Sequence, residues 1–130
     1  MKDLCPPGWP RPKGYSNAMA ARGRMVFTAG VVGWNEQQNF VEKSLAGQFA
    51  QTLRNIVAIL ECDGAYPKNI ARLTCYVTSI DEYLASAKEI GASWREIMGK
   101  HYPAMALVEV VRLVEKDAKV EIEATAVVPE

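Results

Sequence analysis

The residues His101–Val128, HYPAMALVEVVRLVEKDAKVEIEATAVV, decide how the rest of the chain must fold. Apolar residues alternate with a period of two on either side of Glu115-Lys116-Asp117, the pattern of half-buried strands. In the first run Ala104, Ala106, Val108 and Val110 point one way, and Met105, Leu107, Glu109 and Val111 the other. In the second, Val120, Ile122, Ala124 and Ala126 oppose Glu121, Glu123, Thr125 and Val127. The short polar loop predicts an antiparallel hairpin with Leu113 facing Lys119 and Val111 facing Glu121. On that register Met105 lies roughly 20 Å along the strand from the level of Glu121. The small aliphatic side is expected under helices. The other side, mixing Met, Leu, Val and Thr with carboxylates, reads as an interface or a pocket wall.

A chain of 130 residues is one domain's worth, so residues 1–130 are taken as one unit with a single core. The Pro-rich stretch 1–13 is expected to be extended. It lacks the apolar run of a signal peptide, and no run in the chain approaches the roughly 18 apolar residues of a membrane span, so a cytoplasmic protein without a membrane partner is expected. Fifteen basic residues balance fifteen acidic ones without a basic cluster, which gives a nucleic-acid partner no electrostatic support. Cys5, Cys62 and Cys75 are widely spaced, with no CxxC and one His, and read as idle or buried thiols in a reducing compartment. No metal is expected.

Taken in order, Tyr15–Ala21 and Met25–Val32 are strand-like runs around an Arg22-Gly23-Arg24 hairpin turn. Residues 35–43 are polar and irregular. Ser44 starts a helix whose Leu45, Phe49, Leu53, Ile56 and Leu60 share one face, with Gly64 as its stop. Arg72–Thr78 alternates again, turning Leu73, Cys75 and Val77 to one side. Ser79-Ile80-Asp81-Glu82 has the spacing of a capping box, and a second helix runs from there to Gly99. The order is β-β-α-β-α-β-β, an α+β fold with two helices on one face of a mixed sheet. Thr74 and Tyr76, with Met105, Leu107 and Val111, are left on the uncovered face, so association with further copies is expected.

PKGYSNA near the start, FTAG at the end of the second strand, YPAM and KVEIEATA together resemble the RidA (YjgF) family of reactive-intermediate deaminases, in register from about Gly14 to Val128. The resemblance implies a chorismate-mutase-like fold, a homotrimer and clefts between subunits. It also implies hydrolysis of small-molecule imines and enamines to a keto acid and ammonia, without a metal or cofactor. Carried over by motif, the family's strand-start tyrosine falls on Tyr15, the glycine whose amide faces the ligand on Gly30, and the water-positioning glutamate on Glu121. The arginine that grips the substrate carboxylate is replaced by Met105, and the cysteine two positions on by Leu107. Met cannot form the bidentate charge-assisted pair that Arg gives a carboxylate.

Imine hydrolysis needs a water held against the C=N carbon and a carboxylate to orient it and accept its proton. Glu121 has the setting for that task, and Glu123, on the same face, is its rival. Tyr15 is suited to donate to a leaving nitrogen, while Val31 and Trp34 are expected to line the cleft beside Gly30. His101 has no sequence-linked nucleophile and reads as structural. Arg72 and Arg112 are considered as stand-ins for the missing arginine and assigned instead to salt bridges. The expected activity is a deaminase whose substrate preference is altered by Met105. The alternative is a non-catalytic trimer of the same fold that binds a small metabolite.

Overall fold

The computed structural model describes residues 1–130. Its strands are β1 (Lys2–Leu4), β2 (Ala18–Ala20), β3 (Arg24–Phe27), β4 (Val31–Val32), β5 (Ile70–Val77), β6 (Ala104–Glu109) and β7 (Val120–Val128). Its helices are α1 (Leu45–Glu61), α2 (Ile80–Ala85) and α3 (Ala87–Met98). The main sheet runs β3-β7-β5-β6, with β4 continuing the line of β3 along β7.

β5 holds the centre because Leu73, Cys75 and Val77 are fully buried on one face, which only an interior strand under helices allows. β6 runs parallel to it through the α2–α3 crossover, and β7 runs antiparallel on its other side. The hairpin expected of the C-terminal runs is therefore not formed, and β5 lies between them. Residues 110–119 make a ten-residue connection rather than a tight turn, long enough to carry β7 past β6. The faces change accordingly. Met105 and Ala124 share the register of Leu73, so Met105 and Leu107 turn toward the helices. Ala106 and Val108 take their place on the open face beside Thr74, Tyr76, Glu121 and Glu123.

α1 forms as its sequence dictates. Ser44 Oγ accepts from the Gly47 amide at 3.0 Å, and Leu45, Phe49, Leu53, Ile56 and Leu60 are buried against the sheet. Each such side chain contributes about 1.5–3 kcal/mol by leaving water. The helix closes through Gly64, whose left-handed φ of 71° lets its own amide reach Glu61 O and that of Ala65 reach Leu60 O.

Three further expectations are corrected. The second helix breaks into α2 and α3 at Ser86, whose hydroxyl and amide both return to Glu82 O. The capping box is half made: Ser79 Oγ accepts from the Glu82 amide, but the Glu82 carboxylate instead receives Leu45 N–H and Lys119 Nζ. β2 pairs antiparallel with β1 rather than with β3, so the N-terminal stretch includes a strand of a small ribbon.

Candidate active site

The two edges of the sheet each carry a recess. At the β3–β4 edge, residues 28–30 stand against Ala124 and Glu123 alone, one residue too many for a regular ladder, and the strand bulges. Thr28 makes the bulge tolerable. Its amide donates to Ala124 O and its hydroxyl accepts from Ala124 N–H, both at 2.9 Å, so β7 loses no bond. The amides of Ala29 and Gly30 are left without a protein acceptor. Gly30 then lies so close to β7 that a Cβ here would overlap the Glu121 carboxylate. The Glu121 side chain, half-buried, shares a cavity of about 430 Å³ with Gly30, Val31 and Trp34.

α1 supports this edge. Asn55 Nδ2 donates to the carbonyls of Val32 and Trp34 at 3.0 and 2.8 Å, and the Trp34 ring packs on Phe40 at 5.8 Å. Gly33 approaches so closely that a Cβ would stand 2.5 Å from Gln48 O. Gln48, buried within α1, receives Lys119 N–H and donates to Glu42 O and Asp117 O, pinning the connection that leads into β7. Glu123, the rival carboxylate, is exposed and accepts the Tyr76 hydroxyl at 2.8 Å, a bond that raises the Tyr76 pKa.

At the β6 edge the recess is apolar. Met105 forms one wall of a cavity of about 250 Å³ with Tyr83, Ile90, Trp94 and Tyr102. Trp94 and Tyr102 stack at 5.9 Å, and Trp94 Nε1 donates to His101 O at 3.1 Å. Burial raises the Tyr83 pKa, with Cys75 adding to it. Gly14 lines the same cavity, and Ser16 donates through its amide to Pro103 O at 3.0 Å, which holds the intervening Tyr15 along the start of β6.

Of the residues singled out from sequence, Glu121, Gly30, Val31 and Trp34 meet at one edge, while Met105 and the Tyr15 segment meet at the other. Leu107 packs toward the core and lines neither recess. His101 Nε2 sits 2.7 Å from Ile70 O, a structural contact. Arg72 and Arg112 form no ion pair, contrary to expectation. Residues missed by sequence reading are Thr28, Gln48, Asn55 and Arg95, the last lining the Met105 recess. For Gln48, Thr52 and Asn55, a polar stripe beside the apolar face of α1 was the available signal.

Two strand spacings and a three-residue offset separate Met105 from Glu121, about 14 Å between Cα positions and on opposite faces. This replaces the hairpin-based separation, and one small ligand cannot touch both within a chain.

A family model described as Endoribonuclease L-PSP matches residues 10–128. A protein of Escherichia coli strain K12 named 2-iminobutanoate/2-iminopropanoate deaminase is 33% identical over 108 residues, 81% of this chain and 80% of its own. A RutC family protein of Pyrococcus horikoshii is 36% identical over 119 residues, 90% of each chain. Among solved structures, a Rid-family protein of unknown function from Yersinia pestis is similar at a TM-score of 0.82, with 30% identity over 98% of both chains. The YjgF gene product of E. coli gives a TM-score of 0.71, with 31% identity over 98% of both.

Proposed function

Because the chain belongs to the endoribonuclease L-PSP family, the family of RidA (YjgF), we propose that it hydrolyses small imines or enamines to a carbonyl compound and ammonia. The observation that carries the reading is Glu121, its carboxylate held against Gly30 beside the free amides of Ala29 and Gly30. Such a carboxylate orients a water toward the C=N carbon and takes its proton as the C–O bond forms. With the substrate entering as the protonated imine, the C=N electron pair moves to nitrogen and the carbinolamine carries a neutral amine. Glu121 returns its proton to that nitrogen, and the C–N bond breaks as the hydroxyl proton passes to the Glu121 carboxylate and C=O forms, releasing ammonia. Tyr15 is assigned as a donor to the departing nitrogen, and the two amides donate to a polar oxygen of the substrate. Glu123 is left out because the Tyr76 hydroxyl already occupies it.

The site is completed by association. The β3–β4 edge carries the carboxylate, and the β6 edge of the same sheet, three strand steps away, carries Met105 and Tyr15. Chains meeting edge to edge, head to tail, bring unlike edges together, and a closed ring of three is the homotrimer we propose. Val111 and Val114, 99% and 94% exposed in the lone chain, supply apolar surface for that contact. Met105 in place of a guanidinium alters which imine is preferred, and the protein is assigned to the cytoplasm. The balanced charge argues against RNA as the substrate despite the family's name.

The test is ammonia release from a panel of imines generated in situ. Glu121→Gln is expected to keep its oligomeric mass and lose about 100-fold or more of the rate, the scale of a lost general base. Equal rates for variant and wild type would reject the assignment. No turnover of any imine, with ligand binding retained, would favour a non-catalytic binding trimer, the reading that Met105 itself suggests.

A further inference from the structure

We propose that Arg95 is the cation that grips the substrate carboxylate, and that with Met105 it selects 2-imino acids bearing bulky apolar side chains. This rests on the deaminase reading and specifies its substrate. Arg95 is the one charged residue lining the Met105 recess. It is exposed at the surface of α3 and forms no ion pair, so its guanidinium is available to an anion.

Its position follows from helix geometry. Side chains on a helix lean toward its N-terminus, over the residue four positions earlier. For Arg95 that residue is Gly91, and a Cβ built there would lie 3.6 Å from Arg95 Nη1. The bare backbone at Gly91 thus forms a shelf along which the guanidinium lies, at the rim of the recess. Behind it the walls are Met105, Ile90, Trp94 and Tyr102. A carboxylate at the rim meets the fork of Arg95, and an apolar chain on the same molecule enters a cavity of about 250 Å³. An arginine at 105 would fill that floor with charge. With methionine there, the cation has moved from the strand to the helix and the floor is apolar.

The experiment measures binding of 4-methyl-2-oxopentanoate and its uncharged methyl ester, together with kcat and KM for the matching imine. Wild type is expected to bind the acid at least 10-fold more tightly than the ester. Arg95→Gln should lose that preference and raise KM by about 10- to 100-fold while kcat stays within about 3-fold. Adding Met105→Arg to Arg95→Gln should restore affinity for the acid, a rescue that a merely structural role for Arg95 does not produce. Unchanged acid binding in Arg95→Gln overturns the proposal, whether or not imines are hydrolysed. Arg95-dependent binding of the acid without ammonia release from any imine would uphold this site and overturn the deaminase reading alone.

Discussion

The two edges of the sheet are built by opposite means. At the β3–β4 edge a bulge turns backbone amides outward and presses a glycine against a carboxylate, with Thr28 pairing Ala124 and Asn55 holding the Val32 and Trp34 carbonyls. At the β6 edge the recess is walled mostly by side chains, among them two stacked aromatics and a methionine, under a helix whose Gly91 leaves room for Arg95. Backbone groups cannot be re-aimed without refolding the strand, whereas side chains can be exchanged one at a time. On the proposed function, the water-activating carboxylate is fixed by backbone at the first edge, while the second, which also brings Tyr15, can adjust selectivity one side chain at a time. On that same reading, Met105 in place of an arginine would change the substrate rather than abolish catalysis.

The sharpest break in that comparison comes from its glycines. Gly30→Ala places a methyl group against the flexible end of Glu121, which must swing away by about 1 Å, a misplacement that costs on the order of 100-fold in rate. Folding should be nearly unaffected, since Gly30 does not use a left-handed φ. Gly33→Ala meets the Gln48 backbone instead, at 2.5 Å, and should cost about 1–3 kcal/mol of stability with little change in kcat for the folded fraction. Parallel urea titrations and rate assays separate the pair. A Gly30→Ala enzyme at wild-type rate would remove the contact on which the first edge is argued.

A smaller effect probes the inert sheet between the edges. Burial pushes the Cys75 thiol from 9.0 up to about 12, so the folded chain keeps its proton where the unfolded chain has lost it. The stabilisation is complete below pH 9 and is lost as pH rises toward 12. At pH 10 the loss is about 1.4 kcal/mol. Unfolding free energies at pH 8 and pH 10 should converge by that amount in Cys75→Ala, leaving the drop due to Tyr76 and Tyr83, whose pKa values are also raised. An identical pH dependence in variant and wild type would show that the thiol does not sit in a dry core.

The RidA-like fold came from the motif resemblance; the α+β architecture was legible because α1 and β5 carry unambiguous periods, and their buried faces are the expected ones. Strand order was not. Alternation says which side chains share a face, but not which strand lies next, and the C-terminal runs read equally well as a hairpin or as neighbours of β5. That ambiguity put Met105 and Leu107 on the wrong face. Glu121 and Gly30 are singled out by the motif resemblance, but their mutual contact was not readable, because it depends on a bulge that Thr28 makes and that no periodicity announces. Arg95 lies on a helix, outside the strand motif that carries position 105. Its signal was Gly91 one helical turn before it.

The proposed cleft exists only where the two edges meet between chains. Subunit mixing tests this most directly, pairing Glu121→Gln, which disables the first edge, with Gly91→Trp, which fills the second. Each variant alone should form inactive oligomers of wild-type mass. Refolded together at equal amounts, the oligomers should regain roughly a quarter of wild-type activity, because a cleft works only when each of its two donors is intact. Mixed oligomers that stay inactive, with their composition verified by mass, would place the whole site within one chain and contradict the account.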